Sequence, residues 1–402
     1  MVKPLSGVKV LELTTYVAAP MCGRILAEWG AEVIKVEPTG GDVWRYAAPL
    51  MNVPLCEQEN PIFDVANSKK KCITLNLKSP EGMEIFHSLL AQSDVFLTNN
   101  RVQALQKMGI DYPSIKDKYP RLIYAAITGF GEDGPDKDAP GFDLVAYWAR
   151  SGFLADLSVD TGSNYPVIAP AGYGDTATGT ALFGGIVSLL LGRERTGRGD
   201  YVSASLFGTS IWIASYMAIS TQERYGAKYP RTRNECSPMN AAYRCSDGEW
   251  VMVSVNDFVK HFRLLCNTIG IPEVPVDPRF ATLSDVMNNS SEIFPILQGA
   301  ISKYDSATLI RMLSEVGIVN DLVRHYRGLS KDPQAFANNY ITMAEYPNGA
   351  SVAVTNPPYT CASLGKSEFK PASMLGGDNA EVLYSLGFDD AQIAELKEKK
   401  AI

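Results

Sequence analysis

Between residues 8 and 128 short apolar runs alternate with amphipathic, helix-period ones, and that alternation limits the fold more than any other feature of the chain. VKVLEL (8–13) is followed by PMCGRILAEWGA (20–31), which opens on a proline and stops near Gly30. EVIKVE (32–37), ITLNL (73–77), DVFLT (94–98) and RLIYAAIT (121–128) are further strand-like runs, and Ser79-Pro80-Glu81 opens a helix whose apolar face carries Ile85, Leu89 and Leu90. Proline suits a first helical turn because no N–H is needed there. Runs that are apolar on both faces, separated by helices, belong in a parallel sheet covered on both sides. After a helix of small and apolar residues over 176–191, DYVSASL (200–206) returns to strand and SIWIASYMAIS (210–220) reads as one long apolar helix. The class is α/β, with a Rossmann-like large domain.

A chain of 402 residues exceeds what one compact core usually holds. Its character changes near 223, where a polar stretch leads into YRCSDGEWVMVSV. Asp247-Gly248 there is a hairpin signal between two strand-like runs. Helical patterns follow, and strand-like MAEYP and SVAVTNPP come after 340. The expected layout is a large domain begun by 1–222 and completed by 331–402, with a smaller α+β domain inserted over 223–330.

Composition removes several functions. A net charge of −7 with scattered basic residues argues against a nucleic-acid partner. The N-terminus runs straight into a strand without signal-peptide architecture. The longest apolar run, Ala181 to Leu191, is broken by Gly184, Gly185 and Ser188 and is short for a bilayer, so no membrane partner is expected. Seven dispersed cysteines without a CxxC pair suggest reduced thiols in a cytoplasm. His87, His261 and His325 are isolated, which disfavours zinc sites and Ser-His triads. The first βα turn, TTYVAAP, lacks the glycines that pyrophosphate needs, and Gly172-x-Gly174 lacks the third one. GRERTGRG (192–199) lacks the Lys-Ser/Thr ending of a P-loop and follows a helix. NAD, ATP and metal are therefore not expected. Glu12 and Glu37 end strands, where an edge or cap role is the default, and Cys22 and Cys72 lie in apolar surroundings suited to a core.

Residues 171–179, AGYGDTATG, aim one carboxylate out of a glycine-rich turn at the start of a helix. Asp175 is either the N-cap, where a carboxylate accepts from the orphan amides and the helix dipole favours its charge, or a nucleophile.

Several stretches together carry a resemblance: VKVLELTTYVAAPMCGRILAEWGAEVIKVEP, NSKKKCITLNLKSPEG, DVFLTNNRVQALQKMGIDY, AAITGFGEDGPDKDAPGFD, GYGDTATG, LLLGRERTGRGDYVSASL and LGGDNAEVLYSLGF. They run in order from about Leu5 to Phe388, thinning over 225–330, and resemble the class III CoA-transferases, the formyl-CoA and carnitine-CoA transferase superfamily. TNNRVQALQKMGIDY and PDKDAPGFD are most similar to members acting on 2-hydroxy acids such as phenyllactate or 2-hydroxyisocaproate.

The resemblance implies that Asp175 is the covalent nucleophile, passing through a mixed anhydride and an aspartyl-CoA thioester. Coenzyme A then enters as an acyl-CoA substrate, with an enoyl-CoA as the implied donor and no tightly bound cofactor. It further implies CoA contacts at Val17, Ala18, Leu75, Asn76, Leu77, Lys78, Asn99, Asn100, Arg101, Lys107 and Lys137, and an interlocked homodimer. Around Asp175, the amides of Gly172 and Gly174 are positioned to serve an oxyanion, and the helix dipole is expected to keep Asp175 ionised. Three departures from the formyl branch point to a larger, less polar acid: Pro38 replaces an Arg, Val17 replaces a Gln, and no glycine-rich loop is evident near 236–250. A 2-methylacyl-CoA racemase is disfavoured because Phe142, in Gly141-Phe142-Asp143, cannot move a proton. The intact Gly-Asp turn disfavours a CoA-binding protein without turnover.

Overall fold

The computed structural model describes residues 2–159, 166–362 and 365–402. Its central feature is one six-stranded sheet of β1 (Lys9–Leu13), β2 (Glu32–Glu37), β3 (Lys71–Thr74), β4 (Val95–Thr98), β5 (Ile123–Thr128) and β6 (Tyr201–Ser205). The order is β3-β2-β1-β4-β5-β6 and every pairing is parallel. The order reverses between β1 and β4.

The two-residue period of each strand sends alternate side chains into two helical layers. On one face Val10, Leu97 and Ile127 pack with Ala19, Cys22 and Leu26 of α1 (Ala18–Glu28). On the other, Leu11, Phe96 and Tyr124 meet α3 (Pro80–Ala91), α4 (Val102–Met108) and the short α5 (Tyr112–Ile115), through Ile85, Leu89, Leu105 and Ile115. Helix α2 (Pro61–Asn67) is capped by the Asn60 side chain.

Gly152–Ile168 clusters with Ser220–Leu329 in a second compact unit, while 1–151, 169–219 and 330–402 form the first. From sequence, 152–168 was grouped with the large domain. The second unit contains α6 (Phe153–Asp156) near its start, whereas α7 (Tyr173–Thr196), α8 (Leu206–Ile213) and almost all of α9 (Ser215–Ser220) belong to the first.

Leu182, Ile186 and Leu190 of α7 join the α1 layer. Gly179 sets how close the two helices come, because a Cβ there would stand 2.4 Å from the Ala18 carbonyl oxygen. By length and composition α7 would suffice to cross a membrane, longer than the interrupted run seen in sequence. Here one of its faces covers the sheet. The apolar helix expected over 210–220 is two helices, divided at Ala214. The Ser215 hydroxyl donates to the Trp212 carbonyl, competing with the helical ladder.

The second unit pairs β7 (Asn240–Arg244), β8 (Trp250–Ser254) and β9 (Val319–Leu322) antiparallel, with the expected turn at Asp247-Gly248. Val251 and Val253 pack there on α10 (Phe258–Thr268), α12 (Ser290–Ile301) and α13 (Ser306–Glu315), beside the short α11 (Leu283–Asn288). The chain then returns to the first unit through α14 (Pro333–Ala337) and the hairpin β10 (Ile341–Glu345) and β11 (Ser351–Thr355). Helices α15 (Asn379–Ser385) and α16 (Asp390–Glu398) end it, and Val382, Leu383, Ile393 and Leu396 complete the α3 layer. Both chain ends therefore build one core.

Candidate active site

Parallel strands deliver their following loops to one edge of the sheet, and open α/β sheets form ligand crevices where the strand order reverses. Asn99, after β4, ties that point together. Its Oδ1 accepts the Thr15 N–H at 3.0 Å and its Nδ2 donates to the Thr15 carbonyl at 2.8 Å. Asn100 donates to the Leu13 carbonyl at 2.9 Å. Asp42, after β2, accepts from the Thr15 hydroxyl at 2.7 Å and from the amides of Tyr16 and Trp44 at 3.2 and 3.0 Å. These bonds hold Tyr16 at φ 62°, a left-handed conformation that a bulky residue keeps only when its surroundings enforce it.

Below this loop lies a buried charge cluster. Glu12 pairs with Lys70 at 2.8 Å and Lys35 at 3.4 Å, and Lys35 pairs with Asp42 at 2.9 Å. All four side chains are out of solvent. Lys70 also donates to the Pro20 carbonyl and to Asn67, and Lys35 to the Thr14 carbonyl. Burial pushes the Lys70 ammonium down to about 8 although Glu12 opposes the shift. The edge or cap role expected for Glu12 and Glu37 is corrected here: Glu12 anchors the cluster, and Glu37 is buried against Arg45 at 2.7 Å. Cys22 and Cys72 are core thiols, as expected, and burial raises both.

The loop after β5 ends in a π-helical segment, Asp143–Ala149, a rare geometry that concentrates at functional sites. Its first residue, Asp143, is 7% exposed. The Asp143 Oδ2 accepts the Gly172 N–H at 2.8 Å, and burial pushes its carboxyl above the usual carboxylate range although the amides of Gly172, Gly174 and Asp175 oppose the shift. Gly172, at φ +79°, is the N-cap of α7, and Asp175 is the third residue of that helix. This corrects the N-cap reading of Asp175. Asp143, 29 residues upstream, supplies the anion for the helix start instead. Gly174 has to be glycine, because a Cβ would lie 2.2 Å from Tyr147 Cγ and 2.3 Å from Asp143 Oδ1.

Burial, and then the neighbouring charge of Asp143, push the Asp175 carboxyl up to about 7. The sequence argument that the helix dipole keeps Asp175 ionised is therefore outweighed. The result is a poorly solvated carboxylate that gains and loses its proton near neutrality. Because the Gly172 amide is engaged by Asp143, the oxyanion role assigned to it meets an internal competitor.

Asp175 thus stands as a carboxylate in a glycine-containing first turn, and comparison with known proteins identifies the family of the chain that carries it. Residues 5–379 match the family model described as CoA-transferase family III. The chain belongs to this family. The transferase is 38% identical to the (R)-2-hydroxy-4-methylpentanoate CoA-transferase of Clostridioides difficile, over 99% of both chains. It is 35% identical to the cinnamoyl-CoA:phenyllactate CoA-transferase of Clostridium sporogenes, over 99% of this chain and 97% of that one. A crystal structure of a CAIB/BAIF family protein from Brucella suis superposes with a TM-score of 0.81 at 27% identity, covering 96% of this chain and all of the other.

The structure brings some of the sequence-assigned residues of the transferase to Asp175 and leaves others apart. Val17 is buried, and its Cγ1 is the atom nearest to where a Gly172 Cβ would be, at 3.9 Å. Ala18 packs on α7 at Gly179. Asn99 and Asn100 spend their side chains on the β1 loop. Leu75 is a core residue beyond β3, Asn76 and Leu77 are half-buried, and Lys78 is exposed. The Asn76 amide donates to the Ala401 carbonyl at 2.8 Å. Arg101, Lys107 and Lys137 are exposed, and Gln103 bonds Asp138, which joins α4 to the Lys137 loop. Asp143, Asp42 and Lys35 were missed. Only the Phe142-Asp143 motif offered a signal, and there the aromatic residue drew attention from its neighbour.

Proposed function

We propose that this transferase moves CoA from an acyl-CoA to a 2-hydroxy acid bearing an apolar side chain, with Asp175 as the covalent nucleophile. The Asp175 carboxylate attacks the thioester carbonyl and CoA leaves as thiolate, giving a mixed anhydride. The thiolate attacks the aspartyl carbonyl, releases the donor acid and leaves an aspartyl-CoA thioester. The acceptor carboxylate attacks that thioester, forming a second anhydride and freeing the thiolate again. Attack of the thiolate on the acceptor acyl carbon yields the new acyl-CoA and restores Asp175. The half-buried Asp175 carboxylate, pushed up to about 7 and set beside Gly174, where no other residue fits, is the observation that carries this reading.

The acceptor class rests on two further features. The two relatives above are named for 2-hydroxy-4-methylpentanoate and phenyllactate. Tyr16, which precedes Val17, also sits edge-on to Phe142, which precedes Asp143, at 5.2 Å and near Trp44 at 6.1 Å. Exposed Arg101, Lys107 and Lys137 supply the cations for CoA phosphates. The enzyme works as an interlocked cytoplasmic homodimer. Exposed Leu191, Ile211, Trp212, Ile213, Tyr216 and Ile219 give it the apolar surface a partner chain would cover.

Competition for one acyl-CoA donor tests the substrate. A branched or aromatic side chain buries apolar surface worth about 1.5–3 kcal/mol that oxalate lacks. 2-Hydroxyisocaproate or phenyllactate should therefore exceed oxalate by roughly ten- to a hundredfold in kcat/KM. Equal use, or a preference for oxalate, would contradict the acceptor class.

A further inference from the structure

Asp143 is a second carboxylate at the candidate site, and the reaction sequence above gives it nothing to do. It is buried, it opens a π-helical segment, and its Oδ2 holds the Gly172 amide at 2.8 Å. Its Oδ1 comes within 2.3 Å of where a side chain on Gly174 would start. Asp143 and Tyr147 thus pack into the room that a side chain on Gly174 would need. We propose that Asp143 is the positioning residue for Asp175: its carboxylate clamps the first turn of α7 and stands as a second acidic group beside the nucleophile. This role rests on the nucleophile reading of Asp175.

The physical argument has two parts. A glycine-rich turn has many accessible conformations, and a nucleophile displaced by about 1 Å loses on the order of a hundredfold in rate. The Asp143–Gly172 bond removes that freedom by fixing the N-cap, three residues before Asp175. The second part is electrostatic. Burial raises the Asp143 carboxyl and the amides of Gly172, Gly174 and Asp175 oppose that shift, while burial and then the charge of Asp143 raise Asp175. Tyr147, on the π-helical segment, is the other titratable side chain facing the pair, and its phenol is pushed up by burial and by Asp143. Among the described residues no Lys, Arg or His offsets either carboxylate.

Two replacements in the full-length enzyme separate these parts. Asp143→Asn keeps an acceptor oxygen for the Gly172 amide and removes the charge. The acid limb of kcat/KM against pH should then move down by about one pH unit. Asp143→Ala removes the clamp, and kcat should fall about ten- to a hundredfold with KM for the acyl-CoA little changed. An acid limb for Asp143→Asn that superimposes on wild type, or a kcat for Asp143→Ala within about twofold of wild type, overturns the proposal. Should either variant fail to fold by circular dichroism, Asp143→Ser, which retains an oxygen without charge, gives the same pH reading. Hydroxylamine trapping of the wild type runs alongside. An unlabelled Asp175 unseats the nucleophile reading itself, whereas a labelled Asp175 with an unshifted acid limb unseats only the role of Asp143.

Discussion

Replacing Asp175 with alanine is expected to cut CoA transfer below about a hundredth of the wild-type rate while the protein stays folded. Covalent catalysis is worth more than that factor, and Asp175 is the one carboxylate in the first turn of α7. The same carboxylate should be a liability for stability. Its folded-state ionisation lies near 7 against an ordinary value of 3.8. Between those values the folded protein keeps a proton that the unfolded chain has released, so stability falls as pH rises through the window. Above about 7 the burden of the buried charge is complete. Asp175→Asn carries no such charge. Its melting temperature should exceed wild type by a few °C at pH 8, with the gain vanishing near pH 4. Thermal melts at the two pH values check the sign, and a variant less stable than wild type at pH 8 would contradict it.

The largest stability effect is expected at Glu12, which contacts no substrate in this account. Glu12→Ala leaves Lys70 buried without an ionic partner and strips Lys35 of one of its two. Removing one member of a buried ion pair costs about 3–5 kcal/mol, because the remaining charge stays out of water unpaired. Asp42 depends on Lys35, and the Thr15–Tyr16 turn depends on Asp42, so activity should fall along with the melting temperature. Urea denaturation measures the loss. A destabilisation below about 1 kcal/mol would show that the cluster is not what holds the β1 loop.

Sequence periodicity carried the sheet because the parallel strands are buried on both faces. EVIKVE reads as β2 to the residue, and VFLT and IYAAIT are almost wholly apolar. The helix start at Gly172 was legible for a different reason, since glycines beside one carboxylate form a local pattern, whereas the nucleophile reading of Asp175 came from the family resemblance. What escaped was non-local. Glu12 meets lysines 23 and 58 residues away, and Asp143 accepts from a helix N-cap 29 residues later. Single-sequence patterns carry no signal for such pairings, so a buried Glu reads as an edge residue. The Asp175 N-cap reading failed likewise, since Gly172 supplies the left-handed turn and Asp143 the negative charge. At 210–220 continuous apolarity concealed a break at Ala214, where the Ser215 hydroxyl bonds the Trp212 carbonyl.

The central claim, that Asp175 becomes covalently acylated, is tested most directly by incubating the enzyme with an acyl-CoA, quenching with hydroxylamine or borohydride, and locating the modified residue by mass spectrometry. The account predicts a single modification on the peptide containing Gly174-Asp175-Thr176, absent without acyl-CoA and absent in Asp175→Ala. Label on a cysteine, with Cys72 the first to inspect, or turnover without any label at Asp175, would contradict it.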